Sequence, residues 1–261
     1  MGSEVEGMIK RPVGVYDSGV GGISVLRALR ARLPSQPFVY VADSGHAPYG
    51  DRDADFVTSR ALAVARALAP LSPKALVLAC NTVSVVAAKT LRAELGMPVV
   101  AMEPAIKPAV AQSKSKIILL LATRNTVRSE AVESLRVRFG AGAQILAQAC
   151  PGLVEQVERG ALDDPATDAL IERFVRPGVA AGADTIVLGC THYAFLGPAI
   201  ARIAGPGAAI IEPSAAIAEQ LARLIEPGEG GRISFRTSGD VATLRSFLEK
   251  TWGSEPEIQP L

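Results

Sequence analysis

The chain alternates short apolar runs with longer amphipathic stretches. Residues 13–16, 38–42, 75–79, 99–101, 117–121, 144–147, 185–188 and 209–211 are brief, rich in Val, Ile, Leu and Ala, and bounded by turn formers, a pattern that predicts buried parallel strands. Between them, 22–33, 56–68, 85–95, 126–139 and 168–179 carry apolar residues at three- and four-residue spacing, which predicts helices with one buried stripe. In the first of these Ile23, Leu26 and Leu33 share a face with Arg30, flanked by Arg27 and Arg32. Residues 232–236 alternate apolar and polar positions and predict a further strand, followed by a helix at 241–252. Strand, helix, strand in repetition predicts an open parallel α/β architecture with right-handed crossovers, whose ligands sit outside the C-terminal strand ends.

One strand context occurs twice. Ala75-Leu76-Val77-Leu78-Ala79-Cys80-Asn81-Thr82 and Thr185-Ile186-Val187-Leu188-Gly189-Cys190-Thr191-His192 are each an apolar strand ending in a small residue, a cysteine and two polar residues. The cysteines fall 110 residues apart, about one domain length. This predicts two pseudo-symmetric parallel-sheet α/β domains facing each other across a cleft, each bringing a cysteine to it. The Pro-bearing stretch 103–108 and Glu212-Pro213-Ser214 are the expected crossings. They give a first domain of 11–103 plus 214–255, a second of 104–213, and a flexible N-terminal extension at 1–10.

Composition narrows the reading. Of 261 residues 49% are hydrophobic and 20% charged, the profile of a globular α/β chain. Lys and Arg number 27 against 26 Asp and Glu, so no net field favours nucleic acid or an acidic membrane surface. The longest apolar run, 117–122, is far below the ~18 residues a transmembrane helix needs. Residues 1–11 carry Glu4, Glu6, Lys10 and Arg11 without an apolar segment behind them, which reads as no secretory signal and a cytoplasmic protein. Three cysteines, an odd and sparse set, point to reduced thiols.

A cysteine at a strand end, followed by polar residues opening a helix, stands where backbone N–H groups and the helix dipole lower a thiol pKa, which favours thiolate. Taken singly, either cysteine is equally readable as a buried small hydrophobe; the matched contexts favour a shared task. Cys150, before Pro151-Gly152, lacks such a context and reads as structural. Cys80, Cys190 and His192 could form a Cys₂His zinc site, but no C-x₂-C pair supports it and the one other histidine is His46. A cysteine hydrolase or transferase with Cys190 as nucleophile leaves Cys80 without a task. Two thiols across a cleft instead suit removal of a proton from one face of a carbon and delivery of another to the opposite face. Asp17 and His192 are the candidate assistants. Asp17-Ser18-Gly19-Val20-Gly21-Gly22, between strand and helix, can hold a carboxylate or phosphate or be a plain turn; it matches neither G-x-G-x-x-G nor a Walker loop. The loop from Asp43 to Gly50 presents the Tyr49 hydroxyl.

As a set these motifs resemble the glutamate racemases: Gly14 through Gly22, Tyr40-x-x-Asp43 with Pro48-Tyr49-Gly50, Cys80-Asn81-Thr82, Glu103-Pro104, Ala122-Thr123-x-x-Thr126, Cys150-Pro151 leading to Val157-Glu158, and Gly189-Cys190-Thr191-His192-Tyr193. The likeness runs in order from about Val13 to about Gln220. Ala194 stands where that family commonly has proline, and Gly45-His46-Ala47 replaces its usual Ala-Arg-x. The resemblance implies cofactor-independent interconversion of L- and D-glutamate, without pyridoxal phosphate or metal, supplying D-glutamate for peptidoglycan. It implies Cys80 with Asp17 for D-glutamate and Cys190 with His192 for L-glutamate. Ser18, Tyr49, Gly50, Asn81, Thr82, Thr123, Thr126 and Thr191 would hold the substrate, with Glu158 as a further cleft carboxylate. Glutamate is then the partner molecule, with neither nucleic acid nor membrane, and a homodimer is compatible. An aspartate or other amino-acid racemase of the same fold is the alternative within this chemistry. From a different class, the alternative is a protein-binding member without catalysis, since some members of the family contact DNA gyrase.

Overall fold

The computed structural model of the chain describes residues 11–253 and 256–261, so the expected extension at 1–10 lies outside the described residues. In chain order the strands are β1 (Val13–Asp17), β2 (Phe38–Ala42), β3 (Ala75–Leu78), β4 (Val99–Ala101), β5 (Ile117–Ala122), β6 (Gln144–Ala149), β7 (Thr185–Gly189), β8 (Ala209–Ile211), β9 (Ile233–Thr237) and β10 (Ile258–Pro260). The helices of the first half are α1 (Ile23–Arg32), α2 (Ala54–Leu68), α3 (Asn81–Glu94), α4 (Ile106–Gln112), α5 (Arg124–Val127) and α6 (Glu130–Phe139). Those of the second are α7 (Leu153–Glu158), α8 (Pro165–Ala180), α9 (Gly197–Ala204), α10 (Ser214–Leu224) and α11 (Val241–Thr251).

The strands make two sheets, ordered β10-β9-β2-β1-β3-β4 and β6-β5-β7-β8, with parallel pairing throughout. The order second, first, third, fourth therefore occurs twice. Cys80 and Cys190 follow the third strand of their respective units, β3 and β7, at the C-terminal edge where a parallel sheet binds ligands. The first sheet takes β1–β4 with β9 and β10, and the second takes β5–β8.

Alternation along each strand divides the core. Val13 and Val15 point to a layer with Leu26 and Leu29 of α1, Ile217 and Leu221 of α10 and Leu244 and Leu248 of α11. Tyr16, Leu76 and Leu78 point the other way, to Val57 and Val64 of α2 and Val83 and Leu91 of α3. In the second sheet Leu119, Leu121, Ile186 and Leu188 pack on α8 and α9, and Ile118, Leu120 and Val187 on α4 and α6. The α1–α10 layer and the α8–α9 layer belong to one continuous cluster, so the two units are joined by buried apolar surface and not only by the chain crossings. Each large side chain so buried contributes roughly 1.5–3 kcal/mol.

One expectation needs correction, and several elements were not predicted. The helix at 126–139 is two helices: Thr123 caps α5 by accepting from Thr126 N, and Ser129 caps α6 by accepting from Val132 N. The strand β10, and the helices α4, α7, α9 and α10, carry too short or too Ala- and Pro-rich a pattern to stand out. Among the described residues no helix is long and apolar enough to cross a membrane.

Candidate active site

Cys80 leaves β3 in an extended conformation (φ −135°, ψ 122°) and caps α3. Cys190 leaves β7 almost identically (φ −145°, ψ 132°), but the residues that follow it, Thr191–Ala194, form a single 3₁₀ turn in place of the expected helix. The two cysteines are 5% and 6% exposed.

Around Cys80 the contact comes from the glycine-rich loop: Ser18 Oγ lies 3.6 Å from its Sγ. Asp17, wholly buried, accepts from Gly19 N at 2.6 Å and, across the cleft, from the Thr191 hydroxyl at 3.0 Å. Burial raises the Asp17 carboxyl to about 6, against the opposing pull of His192 and the Gly19 N–H. Burial, reinforced by the nearby Asp17 charge, pushes the Cys80 thiol up to about 12. The expected helix-dipole lowering does not prevail there: desolvation at a closed interface outweighs the terminus of α3.

Around Cys190 the partners differ. His192 Nδ1 is 3.8 Å from Cys190 Sγ, and His192 Nε2 is 2.6 Å from Glu158 Oε1. Burial disfavours the imidazolium, but the bonds to Cys190 and Glu158 outweigh it, and the His192 pKa rises well above its usual value. The same Glu158 oxygen accepts from Val20 N at 2.8 Å, so α7 of the second unit grips the glycine-rich loop of the first. That loop has no room for side chains. A Cβ on Gly19 would stand 1.7 Å from Glu158 Oε1, and one on Gly21 2.4 Å from His192 Nδ1. Tyr40 fixes the loop from below by donating to Gly19 O at 2.7 Å.

The remaining expected binding residues converge on the same space. The Thr82 and Thr123 hydroxyls meet at 3.0 Å across the cleft, and Thr123 Oγ1 donates to Thr126 Oγ1 at 3.0 Å. Asn81 is buried with neither its Nδ2 nor its Oδ1 hydrogen-bonded among the described residues. A buried amide left so costs about 1–3 kcal/mol, and an amino-acid substrate has both an acceptor and a donor to offer it. Tyr49 is buried beside the cluster and Gly50 abuts Thr123.

Three residues escaped sequence reasoning. Tyr49 Oη donates to Asp43 Oδ2 and meets Tyr16 Oη at 3.0 Å, and Arg60 on α2 holds Asp43 with two bonds of 2.9 Å. Burial alone raises the Asp43 carboxyl, but the bonds from Arg60, Ser238 and Tyr49 reverse this and hold it below the usual range. Asn125 reaches Tyr49 and Arg52 from the second unit. Tyr16 and Arg60 are each one polar group on an otherwise apolar stripe, a weak signal; Asn125 has none. His46, in the loop that departs from the resembled pattern, lies 3.1 Å from Asp43 Oδ1. Cys150 is buried and its thiol donates to Gln148 O at 3.4 Å. A cleft of about 360 Å³, lined by Val20, Pro48, Glu158 and Asp240 among others, opens beside this center. Among the described residues no group of three or more His, Cys, Asp or Glu side chains is placed to hold a metal ion.

Comparison with known proteins accords with this geometry. The model of the Asp/Glu/hydantoin racemases matches residues 23–221. A glutamate racemase of Methylococcus capsulatus is 46% identical over 260 residues, covering 97% of this chain and 96% of that protein. Among solved structures, a glutamate racemase isoform from Bacillus anthracis superposes with a TM-score of 0.87 at 27% identity, covering 96% of this chain and 97% of that one. The Escherichia coli glutamate racemase, solved with L-glutamate and an activator, gives 0.86 at 29% identity with the same coverage. With a doubled β2-β1-β3-β4 order, a thiol after each third strand, and relatives similar along nearly the whole length, the chain belongs to the Asp/Glu/hydantoin racemase family.

Proposed function

We propose that this protein interconverts L- and D-glutamate by proton transfer between two thiols and the α-carbon, without a cofactor. The observation that carries the reading is the pairing of Cys80 and Cys190 at equivalent strand ends around one buried polar cluster. One sulfur, as thiolate, takes the α-proton; the electron pair stays on the carbon, conjugated with the carboxyl; the other sulfur, as thiol, delivers its proton to the opposite face. The two sulfurs end with exchanged protonation states, which the reverse reaction or exchange with solvent restores.

The surroundings of the thiols support a direction. An imidazolium at His192, 3.8 Å from the Cys190 sulfur, is placed to hold the negative charge of a base there. The Cys80 thiol, held protonated by burial and by Asp17, is placed as the acid. This arrangement is poised for L-glutamate. For D-glutamate the roles reverse, with Asp17 beside Cys80 as the group that accepts the proton load. The unpartnered Asn81 amide, Ser18, Tyr49, Gly50, Thr82, Thr123, Thr126 and Thr191 then bind the ammonium and carboxylates, and Glu158 orients His192.

Glutamate is favoured over aspartate by the relatives that match at 42–46% identity over nearly the whole chain, each a glutamate racemase. The product serves peptidoglycan synthesis in this reading. Incubating dialysed, chelator-treated protein with L-glutamate and following D-glutamate tests the function: steady formation without additions is expected. Activity that appears only with pyridoxal phosphate or zinc, or only with aspartate, would overturn it.

A further inference from the structure

The turn at 49–52 in the first unit is held from the second by two adjacent residues. Asn125 Nδ2 donates to Tyr49 O at 3.1 Å and to Arg52 O at 2.7 Å, while its backbone N–H donates to Gly50 O at 3.0 Å. Arg124 reaches Asp51 Oδ2 at 2.9 Å. Both members of that ion pair are about half exposed, so it contributes little. The Asn125 amide, partly buried against two carbonyls, carries the specific contact. Behind the turn Tyr49 is anchored to Asp43 and through it to Arg60, so the turn is braced on its own unit and gripped by the other. Both thiols are nearly without exposure.

We infer that Asn125 is a positioning residue that latches the two units closed over the substrate, and that its side-chain bonds set how often the cleft opens. The inference rests on the reading of the buried cluster as the substrate site. Entry to that cluster requires the units to part, and parting separates Asn125 from Tyr49, Gly50 and Arg52 together. Because the side-chain bonds touch backbone carbonyls at Tyr49 and Arg52, their loss frees the open arrangement while every side chain assigned to the substrate stays in place.

The test is the rate at which iodoacetamide alkylates Cys80 and Cys190, located by mass spectrometry, in the full-length protein without substrate. Asn125→Ala, which removes both side-chain donors and keeps the backbone bond, is expected to raise that rate about tenfold, as loss of two ordinary hydrogen bonds implies. Asn125→Asp, of the same shape but with an acceptor facing two carbonyls, is expected to raise it at least as much. Glutamate affinity by calorimetry should stay within about threefold in both, since no side chain assigned to the substrate is removed and the closed arrangement stays the majority state. Alkylation within twofold of the wild type in both variants overturns the latch. So does weakened affinity with unchanged alkylation, which would make Asn125 a pocket-shaping residue. If neither variant folds, hydrogen exchange on the wild-type protein decides: the Asn125 amide should be protected at least tenfold against free-peptide exchange, and unprotected exchange rejects the latch. The alkylation comparison needs no turnover, so a protein that fails to racemise glutamate counts against the proposed function and not against the latch.

Discussion

Asp17 is a carboxyl held where it is costly. Burial lifts it from 3.8 to about 6, so the folded protein binds its proton more tightly than the unfolded chain does. Stability from this group is therefore lost as pH rises from about 4 to about 6, by an amount on the order of 3 kcal/mol at neutral pH. Asp17→Asn is expected to raise the melting temperature at pH 7.5 and to lose that gain near pH 4, as followed by thermal unfolding at both. The same change should remove an acidic limb near pH 6 from kcat/KM. Because the equilibrium constant between enantiomers is one, kcat/KM must fall equally in both directions; the asymmetry belongs in isotope effects. Asp17→Asn, which hampers Cys80, should enlarge the primary effect with α-deuterated D-glutamate, and His192→Asn that with α-deuterated L-glutamate. The reverse pattern would exchange the two assignments. Cys80→Ser or Cys190→Ser should each cost about 10²–10⁴-fold in both directions, since a hydroxyl cannot replace a thiolate base at neutral pH.

At the scale of elements, the strands were readable because each is a short apolar run whose neighbours along the sheet are equally apolar, and the repeated cysteine context located the two ends that matter. What was not readable depended on partners distant in sequence. The break between α5 and α6 turns on Ser129 accepting from Val132 N, a bond worth about 1 kcal/mol that amphipathic spacing does not reveal. Ser129→Ala should lower stability by about that amount in urea unfolding, whereas a continuous helix would be unaffected or improved. The strand β10, Ile-Gln-Pro, is too short to have a period and is fixed by β9 alone at the sheet edge. Asn125 and Arg60 gain their roles only when the turn at 49–52 and Asp43 are brought to them. The glycine-rich loop was legible as a turn, but its glycines are required by the facing unit: Gly21→Ala sets a Cβ 2.4 Å from His192 Nδ1. It should reduce kcat/KM by at least tenfold while moving the melting temperature by only a few degrees.

At the scale of the whole molecule, the doubled strand order places Cys80 and Cys190 at equivalent strand ends. Two units of one plan, joined through a continuous apolar cluster, carry chemically alike groups at matching positions. Their surroundings then differ, Asp17 and Ser18 at one thiol, His192 and Glu158 at the other, and in the proposed mechanism one serves as acid while the other serves as base. The measurement that tests this most directly is racemisation of L-glutamate in D₂O, with the α-position of both enantiomers examined during the first few per cent of conversion. Two thiols on opposite faces predict that nearly every D-glutamate formed carries solvent deuterium while the recovered L-glutamate keeps its original proton. D-glutamate that retains the substrate proton, or L-glutamate that gains deuterium as fast as product forms, would contradict the paired-thiol account.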